Sequence, residues 1–147
     1  MLKKITVING PNLNLLGSRK PEVYGNTSLD EIVSSLRKRA AELGYTIAAV
    51  QTNAEGAYVN AVQSAADDSV GLIVNAAAYS HTSVAIRDAL ENLKIPVVEV
   101  HLSNIYARED FRHHSYISAV ASGVIAGFGP LSYYLALEAL AEILKHS

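Results

Sequence analysis

The feature that most constrains this chain is the regular alternation of short apolar runs with longer stretches of helical periodicity. Five runs have the length and composition of buried strands: residues 5–8, 45–51, 70–74, 96–102 and 123–127. Four stretches between and after them have the apolar spacing of helices: residues 28–43, 55–66, 81–93 and 130–145. Strands that alternate with helices are typical of a parallel sheet covered on both faces.

This pattern predicts an α/β fold, a flavodoxin-like three-layer sandwich with a five-stranded parallel sheet in the order 2-1-3-4-5. The chain has 147 residues, of which 50% are hydrophobic and 18% are charged, so it can bury the core of one domain. We therefore expect a single flavodoxin-like domain over residues 1–147. Residues 103–118 are expected to form a loop with one short helical turn.

Composition excludes several classes of function. The absence of cysteine rules out disulfides, thiolate nucleophiles and cysteine-ligated metal centres. A net charge of −2 argues against a nucleic-acid partner, and the apolar runs are too short to span a membrane. No signal-peptide layout precedes the first strand, so we expect a cytoplasmic protein. Neither a phosphate-binding loop nor a dinucleotide fingerprint nor a zinc-binding helix motif occurs, so we expect no metal or cofactor.

Polar side chains follow three strands that the predicted order makes neighbours, namely the first, third and fourth. They lie in residues 9–17, 75–83 and 99–104. Ligands of such folds bind at the carboxyl ends of the strands, near the point where strand order reverses. These segments therefore predict a ligand site. The alternative is that their Asn, Ser and Gly residues only form turns and helix caps.

Glu99 and His101 are the most unusual pair in the sequence, because Glu99 interrupts an apolar strand that the fold would bury on both faces. A buried carboxylate is unfavourable unless it is paired. Residues two apart in a strand point to the same face, so a hydrogen bond from His101 to Glu99 is expected. Such a bond would select one tautomer and favour the protonated imidazole of a general acid. A bulge or edge position that exposes Glu99 to water is the alternative.

A long polar stretch over residues 9–27 carries Arg19 and Tyr24, and a loop of this length is usually functional. A phenol has a pKa of about 10, but a guanidinium held against it in a closed loop would stabilise the phenolate. The alternative is an exposed arginine and a tyrosine that anchors the loop. After the fourth strand, a basic cluster could clamp an anionic or polyhydroxy ligand or form a solvated face: Arg108, Arg112, His113 and His114.

Four blocks of the chain closely resemble the type II 3-dehydroquinate dehydratases, in order and in spacing. They are INGPNLNLLGSRKPEVYG at 8–25, NAAAYSHTS at 75–83, EVHLSN at 99–104 and AREDFRHHSYIS at 107–118. The resemblance implies a hydro-lyase of the shikimate pathway of aromatic amino-acid biosynthesis. Such an enzyme converts 3-dehydroquinate to 3-dehydroshikimate and water by anti elimination through an enolate, without a metal, a Schiff base or a cofactor.

The resemblance also implies roles for individual residues in the chemistry. Tyr24 would be the base that takes a proton from carbon 2, and Arg19 would keep it ionised. His101 would be the general acid for the departing hydroxyl, with Glu99 orienting it. Asn12 would hold a water that stabilises the enolate oxygen.

Substrate binding is implied for a further set of residues. Asn75 and Ser103, with the backbone amides of Leu102 and Ser103, would receive the substrate carboxylate and a nearby hydroxyl. His81 and Arg112 would bind ring hydroxyls. Arg108 would help to hold the loop or the site in shape.

Family members form a dodecamer of four trimers, in which Asp88 would reach the site of a neighbouring subunit. The sequence leaves two other hypotheses open. One is a flavodoxin-like module that binds a small ligand without turnover, although a pure binder needs neither a base nor an acid. The other is an interaction protein whose polar loops are only turns.

Overall fold

The computed structural model describes residues 2–18, 22 and 26–147. Within them, five strands form one parallel sheet: β1 (Lys3–Asn9), β2 (Tyr45–Gln51), β3 (Gly71–Asn75), β4 (Val97–His101) and β5 (Gly123–Ala126). Their order is β2-β1-β3-β4-β5. The predicted α/β class and strand order are confirmed, and the predicted strand bounds lie within two residues of the observed ones.

Four α-helices cover the sheet in the described part of the chain: α1 (Leu29–Leu43), α2 (Glu55–Asp68), α3 (Val84–Glu91) and α4 (Leu131–Lys145). Helices α1 and α4 pack on one face through an apolar cluster that includes Leu36 and Leu137. Helices α2 and α3 pack on the other face around Val62 and Ile86. The central strands β1, β3 and β4 are therefore buried on both sides over most of their length, as their apolar sequences predicted.

Helix α1 begins and ends where its sequence signals predict. Ser28 accepts a hydrogen bond from the Glu31 backbone, and the Glu31 side chain accepts one from the Ser28 backbone, which completes a capping box. At the other end, Gly44 has φ = 91°, a left-handed conformation that glycine adopts without steric cost. Both ends depend on residues within a few positions of each other, so the sequence alone is enough to find them.

Helix α3 is shorter than predicted. The expected range was 81–93, and both of its ends were wrong. The Ser83 side chain accepts a hydrogen bond from the Ile86 backbone at 2.9 Å and caps the helix there. Residues 77–81 instead form a 3-10 helix. At the far end, Leu93 bonds back to Leu90 in a three-residue turn, which ends the α-helical pattern.

Smaller differences affect two other segments. Helix α2 runs to Asp68, two residues beyond the predicted end, and closes when the Ser69 amide bonds to the Ala65 carbonyl at 2.9 Å. Residues 103–118 were expected to contain one short helical turn. The structure has single-turn 3-10 helices at Ile105–Ala107 and Asp110–Arg112, and another at Ser118–Val120.

Alternate residues of β4 face opposite sides of the sheet, and this sets the direction of its polar side chains. Val98 and Val100 belong to the core on the α1 and α4 side. Val97 belongs to the core on the α2 and α3 side, so Glu99 and His101, which follow it at intervals of two, point the same way. All three are buried.

The chain segments after β1 and β3 lie against each other, and Gly10 makes this possible. The Gly10 amide donates to the Asn75 carbonyl at 2.8 Å. A Cβ atom at Gly10 would lie 2.5 Å from the Ala76 carbonyl oxygen, which is closer than real Cβ atoms come. The close approach brings two of the predicted polar loops together.

Among the described residues, no helix is long and apolar enough to cross a membrane.

Candidate active site

A pocket lies at the carboxyl ends of β1, β3 and β4, where the order of the strands predicts a ligand site. Eight of the predicted site residues line it: Asn12, Asn75, His81, His101, Leu102, Ser103, Arg108 and Arg112. The loops after the three strands thus meet at one cavity. The structure therefore brings together most of the residues that the sequence indicated.

Glu99 and His101 form a buried pair at the edge of this pocket. Glu99 is 1% exposed, and its Oε2 is hydrogen-bonded to Nε2 of His101. The expected hydrogen bond is confirmed, and the alternative of a solvent-exposed Glu99 is wrong. Since Nε2 is engaged with Glu99, Nδ1 is the ring nitrogen of His101 that remains for a ligand.

Two serine hydroxyls complete the surroundings of Glu99. Ser115 Oγ donates to Oε2 at 2.7 Å, and Ser118 Oγ donates to Oε1 at 2.6 Å. Burial raises the pKa of the Glu99 carboxyl, but the hydrogen bond and charge of His101 together with the two hydroxyls outweigh it, so this pKa lies below its ordinary value. Glu99 therefore stays ionised next to His101.

His81 lies beside His101 with the ring planes 21° apart and the ring centroids separated by 6.1 Å. Its Nδ1 is 2.8 Å from the carbonyl oxygen of His114, and because a carbonyl only accepts, Nδ1 is the donor. Burial lowers the pKa of His81, against the effect of the His114 carbonyl. A neutral His81 with its proton on Nδ1 has Nε2 as an acceptor for a hydroxyl group.

The two arginines of the basic cluster after β4 both reach the pocket, and Glu109 connects them. Arg112 Nε donates to Glu109 Oε1 at 3.1 Å, while Arg108 Nε lies 3.8 Å from the same oxygen. Arg108 also donates to Ser103 Oγ at 3.3 Å. Both arginines therefore line the pocket, and their role as a clamp for a ligand stays a prediction.

His113 and His114, in contrast, are exposed and are not among the lining residues of the pocket that the described chain forms. His114 contributes its backbone carbonyl to His81, and His113 Nε2 lies 3.0 Å from the Arg108 carbonyl. The side chains of these two histidines therefore form part of a solvated face, which was the alternative interpretation of the basic cluster.

Asn12 has the left-handed conformation φ = 69°, which asparagine tolerates better than most residues. Its backbone amide donates to Asn53 Oδ1 at 3.0 Å, and Gln51 Nε2 donates to the same oxygen at 3.1 Å. Gln51 also donates to the Gly10 carbonyl at 3.1 Å. The end of β2 therefore holds the loop after β1 in the conformation that places Asn12 in the pocket.

Asp88 is not among the residues that line the pocket in the described part of the chain. Asp88 is exposed on α3, so its expected contact with a neighbouring subunit stays a prediction. Arg19 and Tyr24 lie outside the described residues, and their pairing also stays a prediction.

Four residues that support the site were not predicted from the sequence: Gln51, Asn53, Ser115 and Ser118. Gln51 is the last residue of β2, the strand next to β1, and Asn53 follows two residues later, so polar residues at this strand end were an available signal. Ser115 and Ser118 carry no comparable local signal, because their partner lies in a distant strand.

A model of the class II dehydroquinase family matches residues 3–141 of this chain. The chain belongs to the class II dehydroquinase family. The resemblance read from the sequence blocks is thus confirmed, as is the expectation of an enzyme of this family. No group of three or more His, Asp or Glu residues in the described ranges is placed to hold a metal ion.

Individual relatives agree with this assignment over nearly the whole chain. A 3-dehydroquinate dehydratase from Trichodesmium erythraeum (strain IMS101) is 52% identical, over 99% of this chain and 97% of the relative. One from Brucella canis is 54% identical, over 99% of this chain and 92% of the relative. The crystal structure of type II dehydroquinase from Propionibacterium acnes superposes with a TM-score of 0.92 at 47% identity, covering 97% of this chain and 98% of the other.

Proposed function

We propose that this chain is a 3-dehydroquinate dehydratase, a hydro-lyase that converts 3-dehydroquinate to 3-dehydroshikimate and water in the shikimate pathway. Family membership and relatives of that name at 52% and 54% identity support the reaction. The observation that carries the proposal within this structure is the histidine of the pocket, His101, backed by the buried, ionised Glu99.

The proposed route is an anti elimination through an enolate. A base removes the proton from carbon 2, beside the ketone, and the electron pair of that C–H bond forms the enolate. Collapse of the enolate forms the double bond between carbons 1 and 2 and breaks the bond from carbon 1 to its hydroxyl. A general acid protonates the departing hydroxyl, which leaves as water.

His101 is the proposed general acid. Its ring lines the pocket, and because Nε2 is bonded to the carboxylate of Glu99, Nδ1 is the atom proposed to deliver the proton. The two serine hydroxyls on Glu99 support this role because they keep the carboxylate ionised and oriented.

Tyr24 is the proposed base, and Arg19 the group that keeps its phenolate ionised. Both residues lie outside the described part of the chain, so this half of the proposal rests on the match of residues 8–25 to the family. Asn12 lines the pocket, which supports its proposed role of holding a water near the enolate oxygen.

The remaining pocket residues suit a cyclic polyhydroxy acid. Asn75, Ser103 and the backbone amides of 102 and 103 are proposed to bind the carboxylate and a nearby hydroxyl. His81, with Nε2 as an acceptor, and Arg112, as a donor, are proposed to bind ring hydroxyls. Arg108, through its hydrogen bond to Ser103, is proposed to hold this side of the pocket in shape.

We further propose that the chain assembles as a homo-oligomer, a dodecamer of four trimers, in which Asp88 reaches the site of a neighbouring subunit. The exposed position of Asp88 on α3 supports such a contact. Light scattering after size exclusion tests it: the proposal expects twelve chains per particle, and a monomer would contradict it.

The experiment that tests the reaction is a continuous absorbance assay for the conjugated enone product with 3-dehydroquinate. We expect turnover by the native protein, a loss of about 10²–10⁴-fold for His101→Ala, and near-complete loss for Tyr24→Phe with ligand binding retained. Tyr45→Phe is a matched control, because Tyr45 is the first residue of β2 and lies at the amino ends of the strands, away from the pocket at their carboxyl ends. Binding without turnover by the native protein would favour the non-catalytic module instead.

A further inference from the structure

A buried phenol lies behind the pocket, between two asparagines of neighbouring strands. Asn9 of β1 and Asn75 of β3 are paired in the sheet register, so their side chains point to the same face. Helix α4 covers that face, and the hydroxyl of its Tyr133 lies 2.6 Å from Asn9 Oδ1 and 2.9 Å from Asn75 Nδ2. Tyr133 has no exposed surface, and Asn75 is 3% exposed.

The direction of every hydrogen bond in this chain follows from one backbone amide. The amide of Ala77 lies 3.0 Å from the Asn75 side chain, and because an amide N–H only donates, the atom that faces it must be Oδ1. Asn75 Nδ2 therefore faces Tyr133 and donates to its oxygen. The single proton of the Tyr133 hydroxyl then goes to Asn9 Oδ1.

We propose that Tyr133 is a positioning residue, whose hydroxyl holds the amide of Asn75 so that the second N–H of Nδ2 is presented to the pocket as a donor. A carboxylate only accepts hydrogen bonds, so this orientation suits the substrate carboxylate and the reversed amide would not. The inference rests on the proposed function, in which Asn75 binds that carboxylate.

The same chain of hydrogen bonds also holds the wall of the pocket. Ala77 has φ = 53°, a left-handed conformation that residues other than glycine rarely adopt. Its amide is bonded to the side chain that Tyr133 orients, and Ala77 itself lines the pocket. Loss of the Tyr133 hydroxyl is therefore expected to loosen both the Asn75 amide and the turn at residues 75–77.

Tyr133 acts through Asn75 and not on the substrate. Its side chain is not among the residues that line the pocket in the described chain. Burial raises the pKa of the Tyr133 hydroxyl far above its ordinary value, so the group stays protonated and keeps its role as donor to Asn9.

Tyr133→Phe removes the hydroxyl and keeps the ring, and Tyr58→Phe is its matched control. Tyr58 is also fully buried, and its hydroxyl donates to the Ile8 carbonyl at 2.9 Å, in the core on the other side of the sheet. Both variants lose one buried hydroxyl. We expect Tyr133→Phe to raise KM for 3-dehydroquinate about tenfold with kcat within about threefold, and Tyr58→Phe to leave both within twofold.

A double-variant cycle separates positioning from a general loss of stability. When Asn75→Ala is already present, adding Tyr133→Phe should change KM less than twofold, because the group that Tyr133 orients is gone. Equal KM values for Tyr133→Phe and Tyr58→Phe, or a full tenfold effect in the Asn75→Ala background, would overturn the proposal.

Hydrogen exchange at the Ala77 amide tests the positioning role of Tyr133 without an activity assay. Exchange should be faster in Tyr133→Phe than in the native protein or Tyr58→Phe, and equal rates would overturn the proposal. If the native protein fails to convert 3-dehydroquinate, the proposed function fails, while the exchange result still decides the role of Tyr133.

Asn9→Leu provides a second variant if Tyr133→Phe does not fold. Asn9 Nδ2 has no hydrogen-bond partner among the described residues, so leucine loses only the bond from Tyr133. Faster Ala77 exchange and a higher KM are expected, and native values for both would contradict the chain of hydrogen bonds.

Discussion

Glu99→Gln is the sharpest test of the buried pair, because it keeps the shape of the side chain and removes its charge. Glu99 accepts hydrogen bonds from His101, Ser115 and Ser118. A hydrogen bond to a charged group contributes about 1.5–3 kcal/mol, against about 1 kcal/mol between neutral groups. A neutral amide in place of the carboxylate should thus weaken the hydrogen bond to His101 by about 0.5–2 kcal/mol, which corresponds to a rate loss of roughly 2–30-fold.

This loss is smaller than that expected for His101→Ala, since Glu99 orients the acid and does not itself transfer the proton. The assay is kcat and KM from the appearance of the enone. Glu91→Gln is the control, because Glu91 is exposed at the last residue of α3, at the opposite edge of the sheet from the pocket. A Glu99→Gln rate within twofold of this control would refute the argument for an ionised Glu99.

The same variant makes a prediction about stability and pH. The folded-state pKa of Glu99 lies below the ordinary value of 4.5, so ionised Glu99 stabilises the folded chain above about that pH. The contribution is lost as the pH falls through the folded-state pKa, and glutamine cannot titrate. The difference in unfolding free energy between native protein and Glu99→Gln should therefore shrink from pH 6 to pH 3 in urea titrations. A constant difference would contradict the assignment.

Four further substitutions test the surroundings of the pocket, each by urea unfolding. Ser115→Ala and Ser118→Ala each remove one hydrogen-bond donor from the buried carboxylate of Glu99. Each should lower the free energy of unfolding by about 1–3 kcal/mol and raise the pKa of Glu99. An unchanged free energy of unfolding in either variant would contradict the observed contact. Gly10→Ala should cost at least about 1–3 kcal/mol, because its Cβ would lie 2.5 Å from the Ala76 oxygen, whereas Gly56→Ala, with open space around its Cβ, should cost nothing. Ser83→Ala should cost about 0.5–2 kcal/mol through loss of the cap of α3, and native stability would show that the cap is dispensable.

Local signals account for the parts of the fold that the sequence predicts well. The capping box of Ser28 and Glu31 and the glycine after α1 involve residues a few positions apart, and period-two or helical spacing is a property of one segment. The bounds of α3 were predicted wrongly, because the apolar pattern continues on both sides of the helix and does not show that Ser83 is its cap. Residues 77–81 form a separate 3-10 helix in the tertiary structure, and α3 therefore begins only after Ser83.

The features of the candidate site that the sequence predicted also follow from local patterns. Glu99 and His101 are two residues apart, so the shape of a strand was enough to predict their hydrogen bond. The loops after β1, β3 and β4 were predicted to meet because parallel strands end at one edge and the crossover pattern limits their order. The identity of the reaction came from the resemblance of four sequence blocks.

The sequence by itself therefore determined the layers, the strand order and the edge at which the polar loops collect. Only the tertiary structure decided which distant side chains support them. Ser115 and Ser118 lie 16 and 19 residues from Glu99, and Tyr133 lies 58 residues from Asn75. Hydrogen bonds depend on distances of about 3 Å and on direction, and no periodicity in a sequence encodes those between separate elements.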